Sequence, residues 1–517
     1  MDTQLAPPLQ WSELTVLAPE LTLVIAAVIL SLIDLLLPRK VNREWIGALS
    51  FIGVLTSLGF VVWKLIDRYS QAAEGTPADV VQLLNGSYRV DDFALLVKVL
   101  FLIGTAIVIL MSIGSMRDEE LPHRGEYYYL LLPAALGAMI MVSSADLITM
   151  YVGLELLSIT SYILVGMKKH DSRSTEGAFK YLVLGSVASA FILYGMSFLY
   201  GMSGSTNLAE IALALSNSAE AYQPMIYVGM LLMLVGLGFK IAAAPFHAWS
   251  PDVYQGAPTP VSAFLAVVAK GASLIIVFRF MYSVFFALGE EQVIYHDFAT
   301  IILSIAALSM VVGTTMALRQ SNTKRLLALS GIANAGYLLV PIGINILSDQ
   351  GIYTSVFTSF WFYLAAYLVT TMGAFAVLLP VSRSAGHEEM SAFSGLYHRK
   401  PWLAIAMTVF VLSLSGIPIT AGFFGKLYII LGATATRAYW IAIVMMITSV
   451  ISFFFYFGFI RQMYMRQPSE QPVKVPFTQG AVIVLCAILV LGLGLFPNLV
   501  LDWLNTLFSV TTDLMIR

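Results

Sequence analysis

Apolar runs of about twenty residues recur along almost the whole chain, and the polar stretches between them are short. A helix needs about 20 apolar residues to cross the hydrocarbon core of a bilayer. In lipid a segment must also satisfy its own backbone hydrogen bonds, which restricts spanning structure to helices and closed barrels. Runs of this length read as helices, and fourteen are expected: 14–37, 45–67, 92–114, 126–144, 145–167, 176–201, 224–244, 258–288, 296–318, 324–347, 351–381, 401–434, 436–464 and 477–507. Only 68–91 and 202–223 read as substantial loops, and neither has the length of a soluble domain. The expected fold class is all-α integral membrane, with residues 1–517 forming a single polytopic domain.

Composition agrees. Charged residues make up 11% of the 517 and hydrophobic residues 59%, with a mean hydropathy of +0.84, whereas soluble chains carry roughly 25% charged residues. Such a chain cannot cover a water-facing surface, so lipid is its main solvent partner. A net charge of −2 offers no basic face to nucleic acid. The single cysteine, Cys486, excludes a disulfide framework, a thiolate iron–sulfur site and a CxxC redox pair. No metal site is expected. The first apolar run continues past Leu35 without a small-residue cleavage site, so no cleavable signal peptide is read there.

Lysines and arginines set the expected orientation, because positive loops stay cytoplasmic. Seventeen lie in or beside the odd-numbered connections, and four, Arg68, Arg89, Arg437 and Arg517, in the even connections and termini. Both termini are therefore expected on the lumenal or periplasmic side. Seven more fall inside expected helices: Lys64, Lys98, Lys180, Lys240, Lys270, Arg279 and Lys426. Lys64 and Lys98 lie near helix ends and read as snorkelling to the headgroups. Arg279, about half a turn out of phase with Lys270, fits pairing, snorkelling or a structural role. Lys270 is about 18 Å from the start of its helix at about 1.5 Å per residue, and Lys240 is similarly interior. A lysine at such depth costs roughly 2.5–3.5 kcal/mol on insertion scales and marks a polar pathway or an ion pair.

The acidic candidate is Glu155 in "YVGLELLSITSYILVG", about 15 Å into its helix, with Ser158 on the same face. Burial disfavours the charged form of both groups, whereas an opposite charge nearby favours it. Sequence spacing leaves open whether Glu155 and Lys240 touch. Pro245 follows Lys240 in "GLGFKIAAAPFHAWSPDVYQGAPTP" and removes the hydrogen bond to the Ile241 carbonyl, so the helix is expected to open over 241–244. The design recurs in "LSLSGIPITAGFFGKLYIILG", where Gly416 and Pro418 break helix 12 and Lys426 follows. Helices 7 and 12 each stand fourth in a set of five, helices 4–8 and 9–13. An offset of five helices reverses direction, so two inverted repeats are expected, with the path at their broken helices. The expected parts are three N-terminal helices (14–114), a first repeat (126–288), a second repeat (296–464) and a C-terminal helix (477–507).

The stretches "GLELLSITSYILVG", "EGAFKYLVLGSVASAFILYG", "GFKIAAAPFHAWSPDVYQGAPTPVSAFLAVVAK", "NTKRLLALSGIANAGYLLV" and "GIPITAGFFGKLYIILG" resemble the antiporter-like membrane subunits of complex I over nearly all 14 helices. PFHxWxPD followed by GAPTPV is the most specific pattern. Among paralogues the chain is most similar to subunit 2, also called N, or B in the photosynthetic-type complex. It lacks the lateral helix of the largest antiporter-like subunit and has Lys426 where the middle one has glutamate.

The resemblance implies a proton-translocating membrane-arm subunit of a quinone-reducing oxidoreductase, part of a translocase with no redox chemistry in this chain. Flavin, iron–sulfur clusters and quinone would belong to partner subunits. The partners would be other membrane-arm subunits, including neighbouring antiporter-like ones. Residue by residue, it implies Glu155 and Lys240 as a coupling pair, Lys270 as central relay, Lys426 as the second-half lysine and Lys180 as a further member. His247, in PFHxW, is expected to have a structural hydrogen-bonding role. Asn334 stands where many relatives have histidine; it cannot titrate, so water, hydroxyls or another residue must serve the central route. The helix-8 wording looks most like the photosynthetic type, with ferredoxin input, plastoquinone and a thylakoid membrane; a bacterial plasma membrane is the alternative. Two other functions share these motifs or helices: a subunit of a multi-subunit cation/proton antiporter, and a non-pumping scaffold of the membrane arm.

Overall fold

The computed structural model describes residues 11–38, 41–74, 80–116, 121, 123–285, 293–346, 353–467 and 471–508. Arg39, Lys40, Arg117 and Arg517, which enter the charge count above, lie outside the described residues. Among those described, thirteen helices are long and apolar enough to cross a membrane. The expected helix 12 is instead two shorter apolar helices, Pro401–Ser415 and Ala421–Ala435.

The N-terminal trio is Ala18–Leu36, Glu44–Ala73 and Asp92–Ser112. Then come Arg124–Ser143, Leu147–Val165, Ser172–Ser203, Leu208–Ile241 and a helical run over 259–285. Val293–Ala317, Thr323–Ile346, Tyr353–Ala385, the split pair and Tyr439–Met465 follow, and Phe477–Leu495 closes the set with a short continuation, Pro497–Leu507. Short polar residues start several of these helices. The carboxylate of Asp91 accepts the amide of Ala94 at 2.8 Å, that of Asp146 the amide of Ile148 at 2.8 Å, and the side chain of Asn207 the amide of Ala209 at 2.9 Å.

Both expected loops are shorter than the sequence suggests. The helix before the first continues to Ala73, and an antiparallel hairpin pairs Val81–Leu83 with Tyr88–Val90. In place of the second, helix resumes at Leu208 and runs through Pro224 without a stop. Its first turns are polar, so hydropathy alone truncates it, whereas the Asn207 cap and Glu210 in the first turn favour helix from Leu208 onward.

Three segments are wholly enclosed by other helices: Thr259–Val284, Thr323–Ile344 and Ser355–Ala385 are 100% buried over their most apolar windows. They form the axis of the bundle. The outermost helix, Ala18–Leu36, is 22% buried and presents Ile25, Val28, Leu32 and Leu36 outward.

Candidate functional site

Leu208–Ile241 ends one residue after Lys240. Ala242 adopts a left-handed backbone with φ 58°, and its amide and that of Ala243 turn back onto Phe239 and Gly238. Helix resumes only at Ser250–Gly256. The interruption predicted from Pro245 is therefore present, and part of its freed backbone bonds to protein. Trp249 Nε1 donates to the Phe239 carbonyl at 3.0 Å, and Ser309 Oγ accepts the Ala244 amide at 2.8 Å.

Lys240 is buried and donates to Ser158 Oγ at 2.8 Å and to the Tyr162 hydroxyl at 3.2 Å. Glu155, one turn before Ser158, instead accepts a hydrogen bond from Ser189. The carboxylate is near enough to act electrostatically on Lys240, yet no ion pair closes within 4.0 Å among the described residues. Glu155, Ser158 and Tyr162 share one face at i, i+3 and i+7. Spacing exposed Ser158; it also contained the signal for Tyr162.

A cavity with about 10 Å³ of room for water centres lies between Lys240, Ser158, Tyr181, Ala269 and Ser273. That is about the space of one water molecule. It joins Lys240 to the helix that carries Lys270. Here the chain departs from a regular α-helix: Leu265–Ala269 is a π-turn ending next to Lys270. Such turns concentrate at functional sites, and no sequence signal announces this one. The Lys270 ammonium lies 5.4 Å from the centre of the Tyr254 ring and has no hydrogen-bond partner among the described residues.

The second interruption is built differently. Gly416, with φ 84°, ends Pro401–Ser415, and helix restarts at Ala421. Lys426 reaches back across the gap, donating to the carbonyls of Leu414 at 2.8 Å and Ser415 at 3.3 Å and to Ser449 Oγ at 3.3 Å. A lysine thus takes the freed carbonyls at this break, whereas Lys240 contacts only side chains at the other. Asn334 donates to Ser330 and accepts from Tyr363, and on its helix it lies between Gly331, which is beside Lys270, and Tyr337, whose ring Lys426 faces.

Lys180 stands apart from this row. It pairs with Asp252 at 2.7 Å and Glu176 at 2.6 Å, and Asp252 also takes Arg325 at 2.5 Å. It thus binds the aspartate of the PFHxWxPD stretch rather than the buried lysines. His247 Nδ1 is buried without a hydrogen-bond partner among the described residues.

The remaining buried cations correct the snorkelling expectation. Lys98 is 1% exposed and pairs with Glu20 at 2.8 Å, while Lys64 donates to the Val16 carbonyl. Arg279 pairs with Asp91, Arg89 with Asp91 at 3.1 Å, Arg68 with Asp92 at 3.2 Å and Lys324 with Glu388 at 2.6 Å. Among the described residues, buried Lys98, Arg279, Arg89, Arg68 and Lys324 each have a carboxylate within 4.0 Å, and half-buried Lys64 and buried Lys240, Lys270 and Lys426 do not.

A helix bundle with two interrupted helices and a row of unpaired lysines along its axis defines an antiporter-like membrane subunit. The family model for the transmembrane part of NADH:quinone oxidoreductase/Mrp antiporters matches residues 144–452. The chain is 52% identical to NADH-quinone oxidoreductase subunit N of Paenibacillus sp. (strain JDR-2), over 99% of both chains. A chain of respiratory complex I from Thermus thermophilus, solved with aureothin bound, is 32% identical with a TM-score of 0.76, covering 95% of this chain and 100% of that one. A chain of the Mrp complex from Dietzia sp. DQ12-45-1b shares the fold at 18% identity and a TM-score of 0.82, covering 96% and 97%. The chain belongs to the subunit N family of NADH-quinone oxidoreductase, the antiporter-like membrane subunits of complex I.

Proposed function

We propose that this subunit translocates protons, with Glu155, Lys240, Lys270 and Lys426 as the titrating row. The observation that carries this reading is the pairing pattern: among the described residues, the other buried cations are matched to carboxylates, and these three lysines are not. An unpaired ammonium inside a membrane bundle is costly, whereas one that can lose its proton avoids that cost. A passive scaffold has no need of three such groups. A cation/proton antiporter remains the rival, and the Mrp likeness supports the shared fold alone. Lys180 is better read as an anchor of the short Ser250–Gly256 helix through Asp252 than as a relay, and His247 and Asn334 as auxiliary.

The chain is proposed to carry no redox group. Quinone reduction, flavin and iron–sulfur chemistry belong to partner subunits of the complex, among them neighbouring antiporter-like ones. The photosynthetic type expected from the sequence, with ferredoxin, plastoquinone and a thylakoid membrane, gains no support from the relatives named above. Those relatives are bacterial, and the Paenibacillus one is an NADH-quinone oxidoreductase subunit, which favours NADH as donor and a bacterial plasma membrane. The two five-helix units are proposed to be inverted repeats, since the interrupted helix is fourth in each.

The test is the purified complex in sealed vesicles. Lys270→Met keeps the side-chain length and removes the titratable group. At matched complex content it should lower protons moved per electron while quinone reduction in detergent persists. A native yield sinks the reading, and sodium-dependent transport in the native complex would favour the antiporter.

A further inference from the structure

Between Lys270 and Lys426 the row contains Asn334, which can neither release nor take up a proton at ordinary pH. Three helices meet there. Thr323–Ile346 presents Ser330, Asn334 and Tyr337 at i, i+4 and i+7; Tyr353–Ala385 presents Tyr363 and Tyr367 at i and i+4; Tyr439–Met465 presents Thr448, Ser452 and Tyr456, each four apart. All eight side chains belong to residues no more than 5% exposed.

Their hydrogen bonds have a direction. Tyr363 donates to Asn334 Oδ1 at 2.6 Å, and Asn334 Nδ2 donates to the Ser330 carbonyl at 2.8 Å and to Ser330 Oγ at 3.2 Å. Ser330 Oγ also shares a hydrogen bond with the Tyr456 hydroxyl, in which either oxygen can donate. The Tyr337 hydroxyl meets Thr448 Oγ1 at 3.1 Å.

Both ends of this seam meet a lysine. At one, a Cβ added to Gly331 would lie 2.9 Å from Lys270 Nζ and 3.0 Å from the Tyr367 hydroxyl, so the two polar atoms are within about 6 Å of each other. Neither has a hydrogen-bond partner among the described residues, and one water bridges such a separation. At the other end, Lys426 Nζ is 4.9 Å from the centre of the Tyr337 ring. Packing and satisfied hydrogen bonds account for the middle of the seam, but not for an unpartnered ammonium facing an unpartnered phenol.

We propose that Tyr367, Ser330, Tyr456 and Tyr337 form a hydroxyl relay that carries protons between Lys270 and Lys426, with Asn334 as its positioning residue. The proposal rests on the lysine-row reading above. In one passage the Lys270 ammonium gives a proton to a bridging water, which passes one of its own to the Tyr367 oxygen. Each hydroxyl oxygen accepts one proton as it releases another, directly or through water. Lys270 ends as the neutral amine and Lys426, initially neutral, as the ammonium. No oxygen gains or loses protons overall, and rotation of the O–H groups resets the chain. Asn334 transfers nothing; its carbonyl and amide fix which way Tyr363 and Ser330 point.

The test compares Tyr367→Phe, Tyr456→Phe and their double variant with Lys270→Met, in the whole complex in sealed vesicles. Tyr367→Phe leaves the hydrogen bonds among Tyr363, Asn334, Ser330 and Tyr456 intact, so it decides the matter even where Tyr456→Phe fails to assemble. Protons per electron should fall toward the Lys270→Met value while quinone reduction in detergent persists. For the positioning role, Asn334→Leu should show the same loss and Asn334→Gln, which keeps a carbonyl and an amide and cannot titrate, should retain more of the yield. Native yield in Tyr367→Phe with a low yield in Lys270→Met overturns the relay and leaves the lysine row standing. Native yield in Lys270→Met removes both. Native yield in Asn334→Leu overturns the positioning role.

Discussion

Lys240 and Glu155 are held apart by the hydrogen bonds that each makes. The ammonium is on Ser158 and Tyr162, and the carboxylate takes Ser189. The full attraction of such a pair at about 4 Å is on the order of 4 kcal/mol at an effective dielectric near 20, and closing adds the part that the present separation lacks, so a movement of either helix changes how firmly Lys240 holds its proton. Lys98 shows the contrasting case, a closed pair with Glu20 at 2.8 Å that has no need to open. Glu155→Gln should therefore lower proton yield by removing the counter-charge. Combined with Lys240→Met it should cost much less than the sum of the two single losses, because coupled groups are not additive. Lys240→Arg should also impair pumping, since a guanidinium stays protonated. These comparisons need sealed vesicles at matched complex content; full function in Lys240→Arg would show that Lys240 is no proton carrier.

At the level of elements, the two helix breaks were legible and their chemistry was not. Pro245 and the Gly416–Pro418 pair announced where the ladder stops, because both residue types disrupt it for local reasons. Which groups satisfy the freed backbone depends on Trp249 and Lys426 donating to carbonyls and on Ser309 accepting the Ala244 amide, all arriving from elsewhere, and no local rule supplies that. The Leu208 start was missed because polar first turns resemble a loop by hydropathy. Lys98 was misread because Glu20 lies on another helix. Spacing did contain the seam, as tyrosines and hydroxyls four residues apart on three helices, but only packing shows that the three faces meet. Gly331 sits where they meet. Gly331→Ala should lower proton yield without removing any titratable group, since its methyl would press on Lys270 and Tyr367. Flexible side-chain ends can shift, so assembly should survive; native proton yield at matched content would refute this account of the crossing.

Across the whole molecule, contacts between connections follow one rule. Those after odd-numbered spans meet one another: Arg124 bonds Glu44, Lys180 and Arg325 share Asp252, Lys324 takes Glu388, and Thr478 donates to the Ile113 carbonyl. Those after even-numbered spans do likewise: Tyr88 bridges Ser144, Asp146 bridges Asn207, and Tyr227 bonds Asp297. The chain therefore threads alternately between two faces, and the excess of lysine and arginine on the first predicts that it is cytoplasmic. Lys324, which loop counting suggests as a labelling site, is buried on the Ala257 carbonyl and Glu388 and cannot report it. Arg173 and Glu74 are exposed on opposite faces, and the native Cys486 is fully buried. Each position, changed to cysteine in turn, can be treated with a membrane-impermeant maleimide in spheroplasts. Glu74→Cys should react from outside and Arg173→Cys only after permeabilisation. The reverse pattern would invert the orientation, placing the Lys180–Asp252–Arg325 cluster at the outer mouth of the bundle and both termini in the cytoplasm.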